Sequence, residues 1–367
     1  MRAPRTPLAC ACLLAGALAL AGCGGGGDSG SGAGKRPAPP AHSTPAPAKS
    51  EFPAPEGRTL RQILKQAADR PAELKIEPQA MVFQQGENRY PFGVFEKAKA
   101  GQLGAEVDDA EVALYYAKVP ALSGKRSKPG VKGAAAQASI TALDQPAVGP
   151  FPARIETLRT EPEFESRTTR DDPDAARVVY SAQIPLPEKG QWKLVALIKE
   201  GGQIGAVSQL PSVNAGEFNA VPSVGERAPL INTPTAQDVG GEASKITTRI
   251  PPDTQNEVDY ADVLGKEPVL LLFATPKFCQ SRVCSPVVDV AEQAKAKYGN
   301  EARFIHMEIY NDKNPSHLTV LPQVRAFHLP SEPWLFAIDR EGVVRATVEG
   351  GFGTELMDEA VEKAVAK

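Results

Sequence analysis

The chain is poor in the residues that carry most site chemistry. It holds four histidines and five cysteines in 367 residues, too few for a disulfide-dense scaffold or a multi-histidine metal centre. Positive charge is not in excess. The formal net charge of -3 leaves no broad basic field for a polyanion, so no nucleic-acid partner is expected. No Gly-rich nucleotide loop, Ser-His-Asp order or paired-carboxylate motif stands out, and no cofactor is expected. His306, His317 and His328 are scattered, and no metal site is expected among them. No internal repeat is visible. Beyond the first residues there is no apolar run of membrane length.

The first residues are the exception. Arg2 and Arg5 precede the apolar run Leu8–Leu20, which ends in Leu20-Ala21-Gly22-Cys23. The run is too short to span a membrane and has the make-up of a signal peptide. The Leu-Ala-Gly-Cys motif directly after it resembles the lipobox of bacterial lipoproteins. That resemblance implies cleavage before Cys23, lipidation of its thiol, and anchoring at the outer face of the cytoplasmic membrane. Several acyl chains at about 0.8 kcal/mol per buried methylene make a firm anchor. The alternative is an ordinary secretory peptide with a chance cysteine. Cys10 and Cys12 fall in the removed segment, so Cys279 and Cys284 are the thiols left to the mature chain. Outside the cell such a pair tends to oxidise.

Residues 23–57 are rich in Gly, then in Pro and Ala, from Gly24-Gly25-Gly26-Gly27 to Pro55. They are expected to be a disordered tether, with His42 solvated in it. The remainder is long enough for two domains. In 58–212, Leu60, Ile63, Leu64 and Ala67 mark a short helix. Period-two segments follow at 79–85, 89–96, 111–117, 154–159, 177–184, 192–199 and 203–210. Trp192, Leu194, Ala196 and Ile198 share one face. This predicts an antiparallel sandwich. The run Val179 to Trp192 resembles the late hairpin of immunoglobulin-like domains of bacterial secreted proteins. With no cysteine pair to staple it, the packing of Trp192 must serve. Lys118, Lys125, Arg126, Lys128 and Lys132 form a basic stretch, read as a solvated insertion, the alternative being contact with an anionic polymer or lipid.

In 223–367 the pattern is α/β. Pro268–Thr275 is a continuous apolar run, as expected of a central strand. Cys279 and Cys284 follow, then Ser285 as a helix cap with Pro286 at the first position. Strands are expected at 303–309, 334–339 and 343–348, and helices at 319–327 and 354–366. Three motifs, Phe273-Ala274-Thr275 before Cys279, Val224-Gly225-x-x-Ala228-Pro229, and Glu332-Pro333-Trp334 through Gly342, resemble the thioredoxin fold of secreted redoxins. The fold class expected is therefore an all-β immunoglobulin-like sandwich followed by an α/β thioredoxin-like domain, as a monomer. The resemblance implies that Pro333 is a cis-proline facing the cysteine turn. It implies thiol–disulfide exchange with protein dithiols or disulfides, Cys279 attacking and Cys284 resolving.

The spacing departs from that family's Cys-x-x-Cys. Two positions five apart on a helix are about 140° apart in azimuth, so a disulfide requires Cys279 on the loop and Cys284 at the helix start. Arg282 and the helix N-terminus would lower a thiol pKa, and Glu332 would raise it. Two readings stay open: a thiol–disulfide oxidoreductase, or a binding and scaffold lipoprotein whose disulfide is structural. A Cys-His copper site of the kind seen in Sco-type proteins departs in spacing and in the placing of its histidine.

Overall fold

The computed structural model describes residues 38–68, 70–98, 103–121, 134–200, 202–311 and 314–366. Cys23, the signal segment, and Lys125, Arg126, Lys128 and Lys132 lie outside the described residues. Among the described residues no helix is long and apolar enough to cross a membrane.

Among the described residues up to 215, strands are the commonest element. Helix α1 (Leu60–Ala67) is followed by β1 (Arg70–Pro71), β2 (Leu74–Pro78), β3 (Gly86–Lys97), β4 (Leu103–Glu106) and β5 (Glu111–Lys118). Then come α2 (Ala134–Ala142), β6 (Val148–Pro152), β7 (Arg154–Thr157), α3 (Arg167–Arg170), β8 (Val178–Leu186), β9 (Gly190–Glu200), β10 (Gln203–Val207) and β11 (Val213–Ala215). One sheet runs β1-β10-β9-β5-β6 with β11 also on β9, and the other runs β2-β3-β8-β7 with β4 on β3. Alternate residues of both sheets meet in one core. Tyr90, Phe92 and Val94 come from β3, Tyr180, Ala182 and Ile184 from β8, and Trp192, Leu194, Ala196 and Ile198 from β9. Trp192 sits edge-on against Tyr116 with centroids 5.2 Å apart, and its indole N–H donates to the Glu188 carbonyl.

The other face of β5 and β9 is also covered. Ala113, Tyr115, Val195 and Leu197 pack under Leu60 and Ile63 of α1 and under Phe52. Helix α1 starts at a capping box in which Thr59 and Gln62 exchange side-chain and backbone bonds. Burying Leu60 and Ile63 is worth roughly 1.5–3 kcal/mol each. Phe52 explains why the stretch expected to be a tether is in part docked: the ring is 3 % exposed. Thr44 and Ile155 exchange both backbone bonds, and the Thr157 hydroxyl donates to the Pro40 carbonyl. One large ring and a few backbone bonds are enough to hold Pro/Ala chain that has no core of its own. His42 is exposed.

The second half holds α4 (Tyr260–Val263), β12 (Val269–Phe273), α5 (Cys284–Tyr298), β13 (Arg303–Met307), α6 (Pro322–Ala326), β14 (Trp334–Ile338), β15 (Val344–Glu349) and α7 (Thr354–Val365). Their sheet order is β13-β12-β14-β15. Strand β12 is parallel to β13 and antiparallel to β14. Its Leu270 and Leu272 face α5 and α7, while Val269, Leu271 and Phe273 face Tyr260 and Phe327. Burial on both faces is why the strand reads as unbroken apolar sequence.

The described residues from 38 to 366 belong to one compact unit, and the two halves meet along a seam. The Arg89 guanidinium donates to the carbonyls of Glu349 and Gly351 and pairs with Glu156. The Glu349 carboxylate accepts from the backbone N–H groups of Met81 and Val82. The run Gly350-Gly351-Phe352-Gly353 lies in this seam. A Cβ on Gly351 would fall 2.5 Å from Val179 and 2.9 Å from Val283, so only glycine lets the backbone approach that closely. Gly351→Ala should therefore lower unfolding stability by about 1–3 kcal/mol, read as a lower urea midpoint at unchanged slope. An unchanged midpoint would mean the seam is loose in solution.

Candidate thiol–disulfide site

The site is built where β12 ends. After Phe273 the chain turns through Ala274-Thr275-Pro276-Lys277-Phe278 to Cys279, and Cys284 is the first residue of α5. The two sulfurs are joined, with Cα atoms 5.8 Å apart, inside the range a disulfide accepts. Cys279 is therefore on the loop and Cys284 on the helix start, the arrangement the spacing requires. The two are unequal. Cys284 is fully buried, whereas Cys279 is half-buried. The Cys284 N–H donates to Cys279 Sγ at 3.3 Å. Ser281 Oγ lies 3.2 Å from the same sulfur.

The cap differs from expectation. Helix α5 begins one residue before Ser285, and no side chain caps it. Cys279 Sγ takes the first N–H instead. Ser285 Oγ is 2.7 Å from Thr169 Oγ1, in the other half of the molecule. Arg282 also turns away from the sulfurs. It has a φ of 65°, its guanidinium lies 5.5 Å from the Phe95 ring centroid, and it pairs with Asp174 at 3.5 Å. Val283 packs against Leu158, Ala176 and Val179. The two-sheet half thus covers the Cys284 side of the disulfide.

On the other side, Phe278 meets Tyr310 edge-on at 6.3 Å, and Glu332 is near enough to raise the Tyr310 pKa, after burial. Burial pushes the Glu332 carboxyl up. The Glu332–Pro333 peptide is cis. Pro333 is buried, and Trp334 beside it pairs with Phe273, so Pro333 lies at the same sheet end as the Cys279 loop. Its carbonyl accepts from Gly350 N–H.

Beneath the loop lies a polar cluster of which the sequence reading named His306 alone. His306, on β13, bonds Asp253 through Nδ1 at 2.9 Å and the Ala274 carbonyl through Nε2 at 3.2 Å. Both nitrogens face acceptors, which defines an imidazolium. Burial opposes that charge, but Asp253 outweighs it, and the pKa is raised to about 9. Burial also opposes the Asp253 charge, yet His306 holds it down at about 2. Asp289 on α5 pairs with Arg249 at 2.8 Å and accepts from Ser166 and Thr169. The partners are 40 to 123 residues apart in the chain, which is why no local pattern points to them. The one signal is the polar density of Thr247-Thr248-Arg249 and Asp253 in a long stretch without strand or helix period. With both nitrogens engaged, His306 is no ligand. Among the described residues no three of His, Cys, Asp and Glu gather as a metal site would require. His317 sits beside Asn314 on the surface, and His328 is exposed.

No family model matches the chain, and no curated protein matches it. A solved structure from Chlorobium tepidum, described as a thiol:disulfide interchange protein DsbE, aligns over 40 % of this chain and 99 % of its own at 19 % identity, with a TM-score of 0.29. A likeness of that size defines neither the fold nor the activity of this chain.

The His306–Asp253 pair has a pH signature. His306 is raised from 6.5 to about 9, so its contribution is complete below pH 6.5 and is lost as pH rises through 9. Asp253 is lowered from 3.8 to about 2, so its contribution is present above pH 3.8 and is lost on falling through 2. His306→Asn leaves Asp253 buried and unpaired and should cost about 3–5 kcal/mol near pH 6. In urea titrations the gap between wild type and variant should shrink as pH climbs from 6.5 to 9. A gap that stays constant would mean His306 is neutral in the fold.

Proposed function

We propose that the chain is a lipid-anchored, extracytoplasmic thiol–disulfide oxidoreductase with an immunoglobulin-like sandwich followed by a thioredoxin-like domain. The observation that carries this reading is the asymmetry of the disulfide. Cys279 is half-buried and its Sγ accepts the first N–H of a 15-residue helix, while Cys284 is fully buried. A helix N-terminus stabilises a thiolate. In the reduced protein the Cys279 thiolate attacks one sulfur of a substrate disulfide. A Cys279–substrate bond forms, and the other substrate sulfur leaves as a thiolate and is protonated. The Cys284 thiolate then attacks Cys279 Sγ, closes the internal disulfide and releases the second substrate thiol. Two electrons pass to the substrate. Run backwards, the same steps oxidise a dithiol.

A second reading rests on the seam. Arg282 and Val283, between the cysteines, are embedded in the two-sheet half, as a structural staple would be. The reduction potential separates the two. For the chain from residue 24 onward, a value between about -120 and -270 mV supports exchange, and one below about -300 mV supports a staple. Insulin reduction should be abolished in Cys279→Ser. Cys284→Ser should instead accumulate a mixed disulfide. Cys23→Ser should yield an unacylated protein that leaves the membrane fraction; membrane retention of that variant would refute lipid anchoring.

A further inference from the structure

An ordered segment that precedes α4, whose one regular element is the 3-10 turn Ala243–Lys245, folds back on the sheet, where Asn256 donates to the His306 carbonyl. It spans residues 229–258 and is held by bonds such as Ala236 N–H to the Asn256 carbonyl. Irregular stretches of that length inside a compact domain usually serve a site. A cavity of about 450 Å³ opens between this segment, β13 and α6. Its walls include Asp238, Asp259, Glu308, Tyr310 and Gln323, and the cation among its lining residues, Lys245, is paired with Glu242 at 2.9 Å.

Two buried oxygens of the lining residues, Glu308 Oε1 and Gln323 Oε1, have no hydrogen-bond partner. Glu308 is 7 % exposed. Its Oε2 accepts from Thr248 N–H at 2.8 Å and from the Thr248 hydroxyl at 2.9 Å, whereas its Oε1 has no partner. Gln323 donates through Nε2 to the Asn232 carbonyl, which sets the amide orientation and leaves its Oε1 without a partner. A buried acceptor left unbonded is costly. Asp238 and Asp259 add negative charge, and both are held below the usual carboxylate range by hydrogen bonds that outweigh burial. Three carboxylates, Asp238, Asp259 and Glu308, against the one lysine Lys245 leave the walls net negative, with two side-chain oxygens unpartnered. Anions are repelled, and a slender group carrying several N–H donors and a positive charge is favoured.

The cavity adjoins the disulfide loop. The Thr248 hydroxyl that donates to Glu308 also accepts from Lys277 N–H at 3.1 Å, two residues before Cys279. Tyr310, in the cavity wall, packs against Phe278. We infer that this cavity binds an alkylammonium or guanidinium group, supplied by a lysine or arginine side chain of the polypeptide that meets Cys279. The polypeptide source rests on the thiol-exchange reading; the cavity itself does not.

Agmatine, which carries both groups, is the probe for the cavity. Titrated calorimetrically into the oxidised chain from residue 24 onward, it should bind with a Kd below about 1 mM. Glu308→Gln, which turns an acceptor into a donor, should weaken it about tenfold, and Gln323→Glu should tighten it, a gain that misfolding cannot imitate. Absence of agmatine binding overturns the inference. Two disulfide peptides that differ by lysine against norleucine beside the cystine test the source. A kcat/KM higher by about tenfold for the lysine peptide, lost in Glu308→Gln, supports it. Equal rates with agmatine still bound overturn the polypeptide source in favour of a free amine. Agmatine binding with no exchange on either peptide overturns the thiol-exchange reading and the polypeptide source, and leaves the cavity standing.

Discussion

Asp289 is the buried charge on which the arrangement of the molecule depends. It projects from the second turn of α5 and is almost completely enclosed. Burial pushes its carboxyl up, and only Arg249 and the donors of Ser166 and Thr169 pull the other way. A carboxylate so placed is tolerable when every partner is present, and removing one leaves an uncompensated charge. The partners of this α5 residue come from two places: the ordered segment before α4, and the turn at α3 in the two-sheet half. Arg249 itself spends its remaining donors on the carbonyls of Phe164 and Pro251. The start of α5, and so the position of Cys284, is thus tied to both halves by one polar cluster rather than by apolar packing alone.

That tie decides which sulfur solvent can reach. With Ser285 bonded to Thr169 and Val283 lodged against Val179, the chain on the Cys284 side has no freedom to open without breaking buried contacts. Cys279, at the other end of the loop, is only partly buried where it packs against the core under α5 and α7. A structural staple needs neither sulfur accessible; an exchange site needs one accessible and one held in reserve. The same seam that protects Cys284 therefore also creates the asymmetry that exchange chemistry uses.

Much of the fold is legible in the sequence because its periods are local. Trp192, Leu194, Ala196 and Ile198 announce a strand with one inward face, and Val269–Phe273 announces one buried on both. Leu60 and Ile63 mark α1 at a cap that Thr59 and Gln62 complete. What is hidden depends on distant partners. Phe52 looks like a lone aromatic in Pro/Ala chain until β5 and β9 present a surface for it. Gly350-Gly351-Phe352-Gly353 reads as a turn, yet Gly351 is small because Val179, far earlier in the chain, sits against it. Ser285 has the composition of a cap, but the Cys279 sulfur reaches the helix N–H first and frees the hydroxyl for Thr169. His306 is visible as a strand residue; its pairing with Asp253 is not, since nothing in either neighbourhood specifies the other.

The wide spacing of the cysteines follows from the same seam. A loop with two residues between its cysteines can close a disulfide at a helix start, but it offers little side chain to anything else. Here four residues intervene, and they divide by task. Ser281 turns its hydroxyl to Cys279 Sγ, and Gln280 is exposed. Arg282 adopts a left-handed conformation, unusual for a side chain of its size, and in that conformation reaches Phe95 and Asp174 while its carbonyl accepts from Ala176 N–H. Val283 fills the apolar gap beside it. Arg282 and Val283 are thus the residues by which the loop grips the two-sheet half. Without Arg282 and Val283 the loop would lose that grip, so the spacing is a property of how the halves are joined as much as of the thiol chemistry.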